Sequence, residues 1–150
     1  MKVSDILRIK GSTLYTAQPD EPLVRAIELL HEKDIGSLVV MDNGQLVGML
    51  TFREVMRVLA KNGGALGGTL VGDAMETSPL ICSMETDMDE VRRMMLDCHA
   101  RYMPVMEQHV LMGVISFYDV ARAVVDAQNF ENKMLKAYIR DWPEEKDAPQ

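Results

Sequence analysis

Leu23, Ala26, Ile27 and Leu30 recur three or four residues apart behind Pro22, and the run stops at the polar pair Lys33-Asp34. That is the period of a helix with one apolar face and a proline at its first position. Residues 37–41, Ser-Leu-Val-Val-Met, make a short apolar run rich in branched side chains, and residues 45–50 make another. Between them stands Asp42-Asn43-Gly44, and Asn-Gly is a strong signal for a hairpin turn. Residues 52–60 return to helical spacing, with Val55, Met56 and Leu59 on one face. An extended stretch, residues 13–17, precedes all of these. The predicted order is strand, helix, strand, strand, helix.

The order then repeats. Residues 80–83, 88–98, 102–106 and 110–116, with a helix from Phe117 onward, follow the same plan. Shifting residue 35 onto residue 100 aligns Val40 with Val105, Leu46 with Leu111, Gly48 with Gly113 and Phe52 with Phe117, without a gap. The same shift places Thr51 on Ser116 and Glu54 on Asp119, and carries Leu23, Ala26 and Leu30 onto Met88, Val91 and Met95. Further upstream, Val3-Ser4-Asp5-Ile6-Leu7 matches Val71-Gly72-Asp73-Ala74-Met75. Units of roughly 60 residues are each too small to bury a good core alone, so the two are expected to pack on one another. The boundaries drawn from the pattern are 1–61 for the first unit, 62–69 for a linker, 70–127 for the second unit and 128–150 for a C-terminal extension.

The linker holds Gly63, Gly64, Gly67 and Gly68, four of the ten glycines, and is expected to be flexible. It is no phosphate loop: it has no lysine to reach a phosphate, and it follows a helix instead of a strand. Composition narrows the functional classes. A chain of 150 residues that is 47% hydrophobic and 26% charged has enough apolar surface to fold. Its 16 basic and 23 acidic residues give a net charge of −7 with no basic run, which argues against nucleic acid as a partner. No apolar stretch approaches the roughly 20 residues that span a bilayer, and residues 1–5 lack the apolar core of a signal peptide. The expectation is a cytoplasmic protein without membrane contact. Cys82 and Cys98 have neither metal nor redox spacing, and His31, His99 and His109 belong to no catalytic or metal motif. No catalytic residue, metal or catalytic cofactor is expected. The 13 methionines, Met94, Met95 and Met106 among them, read as adaptable core filler.

The duplicated segments Leu-Val-Gly-Met-Leu-Thr-x-x-Glu (46–54) and Leu-Met-Gly-Val-Ile-Ser-x-x-Asp (111–119) follow Val-Val-Met-Asp and Pro-Val-Met-Glu respectively. In this the chain resembles a pair of CBS domains, a Bateman module, over roughly residues 1–127. The resemblance implies an α+β fold of two pseudo-symmetric β-α-β-β-α units packed as a pair, with two clefts that commonly hold adenosine-containing ligands. It points to AMP first, then ADP, ATP, NAD or S-adenosylmethionine. The function it implies is non-catalytic regulation, passed to an unidentified partner protein or to the geometry of a homodimer. The alternative is an interaction module whose clefts are degenerate and empty.

The motif also has a chemical reading of its own. A strand ending at Ser116 delivers a hydroxyl to a helix start, where free N–H groups and the helix dipole favour a phosphate. Asp119, three residues on, carries a carboxylate suited to accept from both hydroxyls of a ribose diol. An apolar slot for a flat base is expected between Met103-Pro104-Val105 and residues 80–83, with Ser83 at its end. Arg101 is the candidate phosphate cation, and Tyr102 the candidate ring to stack on the base. Ser-x-x-Asp is equally the pattern of a helix capping box. In the resemblance, Ser116 and Asp119 match the residues that touch phosphate and ribose.

The corresponding first site comprises Thr16, Leu38, Val39, Val40, Thr51, Arg53 and Glu54. It departs from the family pattern, since Glu54 stands where aspartate is usual and Gly36 replaces a bulky residue. Glu54 is one methylene longer and also completes a Thr-x-x-Glu capping box. The second site is therefore expected to be the better adenosine pocket.

Beyond the second motif, Val120, Val124, Ala127, Phe130, Met134 and Tyr138 continue at helical spacing to about Arg140. With Ile139 and Trp142 they make an apolar, aromatic-bearing stripe, read as a dimer contact. Free-standing bacterial modules similar to this chain end in a comparable Gln-x-Phe-Glu helix. Pro143 should stop the helix, and residues 144–150 should form a disordered acidic tail.

Overall fold

The computed structural model describes residues 1–11 and 13–141. Trp142, Pro143 and the acidic tail lie outside the described residues. The first unit carries β1 (Thr16–Ala17), α2 (Leu23–Glu32), β2 (Ser37–Asp42), β3 (Gln45–Thr51) and α3 (Phe52–Lys61) after an N-terminal helix α1 (Val3–Lys10). A short helix α4 (Val71–Ala74) opens the second unit, followed by α5 (Met88–Cys98), β4 (Tyr102–Glu107), β5 (Val110–Ser116) and α6 (Phe117–Asp141).

The first sheet runs β1-β2-β3, with β1 parallel and β3 antiparallel to β2; the second pairs β4 with β5 antiparallel. Each hairpin shifts register at the same repeat position, between Val40 and Met41 and between Val105 and Met106. Asn43 and Gly44 both take positive φ, 50° and 78°, as the tight hairpin turn requires. Residues 80–83, expected as a strand, reduce to a single parallel bridge from Cys82 to Val105. The glycine-rich connection is a series of turns, held by Gly64 N–H donating to the Leu59 carbonyl and Thr69 N–H to the Leu66 carbonyl.

The two cores are built by exchange. Val3, Ile6 and Leu7 of α1 are buried with Val91, Met95, Met103 and Ile115 of the second unit. Val71 and Ala74 of α4 are buried with Leu23, Leu38, Leu50 and Val55 of the first. Each unit's leading helix thus completes the other unit's core, which explains why segments this small order together. The backbone repeats the exchange: Val3 N–H donates to the Thr86 carbonyl at 2.9 Å, and Val71 N–H to the Glu21 carbonyl at 2.9 Å. Two glycines make room for it. A Cβ on Gly48 would lie 2.7 Å from the Glu76 carbonyl oxygen, and one on Gly113 would lie 3.0 Å from Leu7.

α6 is buried at Val120, whereas Val125, Phe130, Met134, Leu135, Tyr138 and Ile139 are all more than half exposed. No helix among the described residues is long and apolar enough to cross a membrane.

Candidate nucleotide site

At both strand-to-helix corners a hydroxyl residue ends a strand and an acid follows three residues later. Ser116 N–H donates to Asp119 Oδ2 at 2.9 Å, and Asp119 N–H donates to Ser116 Oγ at 3.1 Å. Lys10 adds a third contact: its ammonium lies 2.7 Å from Asp119 Oδ2 and 2.9 Å from the Val114 carbonyl oxygen. Partial burial pushes the Asp119 carboxyl up, but Lys10 and the Ser116 donors outweigh it, and the net shift is below the ordinary carboxylate range. Asp119 is therefore ionised at neutral pH. This gives stability that is present there and is lost on strong acidification, as pH falls through the lowered value.

Thr51 and Glu54 form the same corner in a more closed state. Thr51 N–H donates to Glu54 Oε1 at 3.0 Å, and the Thr51 hydroxyl reaches both carboxylate oxygens at 3.0 and 3.2 Å. Glu54 is buried, only 5% exposed, and its carboxylate caps α3, whereas Asp119 is half-buried.

A cavity of about 710 Å³ opens at Ser116, and its other wall comes from the first unit. Ile35, Gly36 and Ser37 lead into β2 on that side, with Tyr15 beside them; Lys10, Arg101 and Tyr102 complete the polar and aromatic lining. A second cavity of about 570 Å³ opens at Thr51, facing Ser78, Pro79 and Leu80 and then Ala100, Arg101 and Tyr102 from the second unit. Each cavity thus joins the corner of one unit to the strand entrance of the other. Arg101 and Tyr102 line both. Gly36 lies against the Tyr102 ring: a Cβ there would meet the Tyr102 hydroxyl and make the side chain shift.

This crossing corrects the expected base slot. Cys82 N–H donates to the Pro104 carbonyl at 3.0 Å and Met106 N–H to the Cys82 carbonyl at 2.8 Å, so the segment is bonded directly to β4 with no gap. Met103 and Val105 are fully buried in the core, and Pro104 is buried with them. Ser83 lines neither cavity; its hydroxyl is 3.1 Å from that of Thr86 in a local turn. The first unit follows the same logic. Leu38, Val39 and Val40 are fully buried, and Thr16 pairs directly with Val39, outside both cavities. Of the predicted residues, Ser116, Arg101 and Tyr102 share the larger cavity, with Asp119 bonded behind Ser116 and Lys10. Thr51, Arg53 and Glu54 share the smaller one.

Lys10, Tyr15 and Arg57 were not foreseen. Arg57 had a signal, standing four residues after Arg53 and so on the same helix face. Lys10 had none, because nothing local shows that α1 crosses to the other unit. Cys98, exposed, lines the smaller cavity, while burial pushes the Cys82 thiol up to about 12. Among the described residues no group of three metal-ligating side chains comes together.

The CBS-domain family model matches residues 3–61 and again 71–126. The chain belongs to the CBS-domain family. Its fold is that of a CBS pair: a CBS-domain protein of Agrobacterium tumefaciens superposes with a TM-score of 0.78 at 32% identity, covering 82% of this chain and 98% of the other. CBSX3, a mitochondrial CBS-domain protein of Arabidopsis thaliana, is 29% identical over 147 residues, 92% of this chain and 71% of its own length. CBSX2, solved in complex with AMP, superposes with a TM-score of 0.70 at 28% identity, covering 85% of this chain and 98% of its own.

Proposed function

We propose that this CBS pair is a regulatory module without catalytic activity that binds an adenosine-containing ligand, AMP first, in the cavity between Ser116 and the first unit. The observation that carries the reading is the meeting of complementary groups at one cavity of about 710 Å³, inside the range of small-molecule sites. The Ser116 hydroxyl, which accepts from Asp119 N–H, keeps its own O–H to donate to a phosphate, while Ser116 N–H and Phe117 N–H are engaged by Asp119 and the Arg101 carbonyl. Asp119, behind Ser116 and Lys10, offers its carboxylate to ribose hydroxyls that displace Lys10 from it. Lys10 and Arg101 supply positive charge, and Tyr102 and Tyr15 supply rings for a base. The AMP complex of CBSX2 supports a ligand of this class.

A ligand seated there touches both units, so it favours whichever relative arrangement lets it touch both. Output to a partner protein follows only from such a difference in affinity between arrangements. The readout is a thermal-shift titration against AMP, ADP, ATP, NAD and S-adenosylmethionine. A specific ligand at 100 times its dissociation constant adds about 2.7 kcal/mol, which raises the midpoint by about 5–10 °C for a chain of this size. No shift with any of them favours the interaction module, a reading that the sequestered Glu54 already supports for the smaller cavity.

Homodimerisation is the second part of the proposal. The stripe Phe130, Met134 and Tyr138 is more than half exposed on a helix that runs past the second core. Truncation after Ala127 is expected to lower the solution mass measured by light scattering from dimer to monomer. An unchanged mass removes the helix from the interface.

A further inference from the structure

We infer that the smaller cavity is a site for a condensed-phosphate anion, a chain of two or more linked phosphates, recognised without a ribose diol. In a chain of net charge −7, three guanidinium groups, those of Arg53, Arg57 and Arg101, line this one cavity of about 570 Å³. They come from separate places: two from one face of α3, and one from the entrance of β4 in the other unit. Arg53 gives one Nη2–H to the His99 carbonyl at 2.9 Å, which orients it and leaves its other N–H groups for an anion. A guanidinium matches the oxygens of a phosphate two at a time, and linked phosphates present enough oxygens for three such groups.

The acids of the same cavity explain why the nucleoside end is not what it reads. Glu54 Oε1 accepts from Thr51 N–H, its two oxygens share the single Thr51 hydroxyl hydrogen, and that hydroxyl accepts from Arg53 N–H at 3.2 Å. Glu54 reaches the lining, but it is 5% exposed and its carboxylate is held against Thr51 at the start of α3. Glu76, the remaining carboxylate of the lining, is exposed and bonded weakly to Ser78 N–H at 3.4 Å. The two cavities of one module thus differ in their cations: Lys10 and Arg101 line the larger, and three arginines line the smaller.

The test is calorimetric titration of the full chain with inorganic tripolyphosphate, at low and at raised salt. Saturable binding is expected, weaker as salt screens the charges. Arg57→Gln and Arg53→Gln should each reduce affinity about tenfold, the worth of a charge-assisted hydrogen-bond set. Lys10→Gln, which touches only the larger cavity, should leave it within about twofold, and adenosine should not compete. Both arginines are exposed, and matching melting temperatures would confirm that the variants remain folded. Absence of binding, an unchanged affinity in both arginine variants, or an equal loss in Lys10→Gln would overturn the assignment. Failure of AMP at the larger cavity would leave these outcomes unaffected, so the two readings stand or fall separately.

Discussion

Truncating Ile6 to alanine is expected to cost about 2–5 kcal/mol, and the loss should register in the second unit. Ile6 is 4% exposed, and the buried core it belongs to includes Val91, Met95, Met103 and Ile115, all remote in sequence. Removing three carbons there leaves a void that α5 and the β4–β5 sheet cannot close without moving their own backbones. For a chain of this length each kcal/mol lowers the melting midpoint by about 2–4 °C. Hydrogen exchange gives the location. Amides of α5 should lose protection in Ile6→Ala, while those of α2, packed on α4 in the other core, should lose less. A loss confined to α1 with α5 unchanged would contradict the exchanged-helix architecture.

That architecture marks the boundary of what the sequence could reveal. Alternation and helical spacing are local properties, and they gave the hairpins, their turns and four of the helices to within a residue or two. The repeat likewise paired Gly48 with Gly113 and Thr51 with Ser116. What it could not show is which unit each leading helix joins, since Val3-Ser4-Asp5 and Val71-Gly72-Asp73 look alike wherever they pack. The error in the base slot has the same origin. Neighbourhood along a repeat points to one pocket within one unit, between Met103 to Val105 and residues 80–83. The structure instead bonds them to each other, and the cavity forms where Ser116 meets Ile35 to Ser37 of the other unit. The Ser116–Asp119 capping corner was legible because it is a short motif. Lys10 and Tyr15 reach the cavity at Ser116 only through the packing of the pair.

Asp119 carries the central claim, and its loss should produce the largest effect on binding. Its carboxylate, only 18% exposed, is held ionised by Lys10 and Ser116. Hydrogen bonds to a charged group contribute about 1.5–3 kcal/mol, so a diol bound there depends on Asp119 by about one to two powers of ten. Asp119→Ala also frees Lys10 and removes the acceptor for Ser116 N–H, and some loss of thermal stability is expected with it. Asp119→Asn keeps a side-chain carbonyl for Ser116 while removing the charge, and so separates binding from capping.

The decisive measurement is calorimetric titration of AMP into the native chain and into these two variants. The account predicts saturable binding to the native chain, weakened about 10–100-fold by Asp119→Ala and to a lesser degree by Asp119→Asn, with both variants folded. AMP affinity that is the same in all three proteins, or no AMP binding to the native chain, would contradict it.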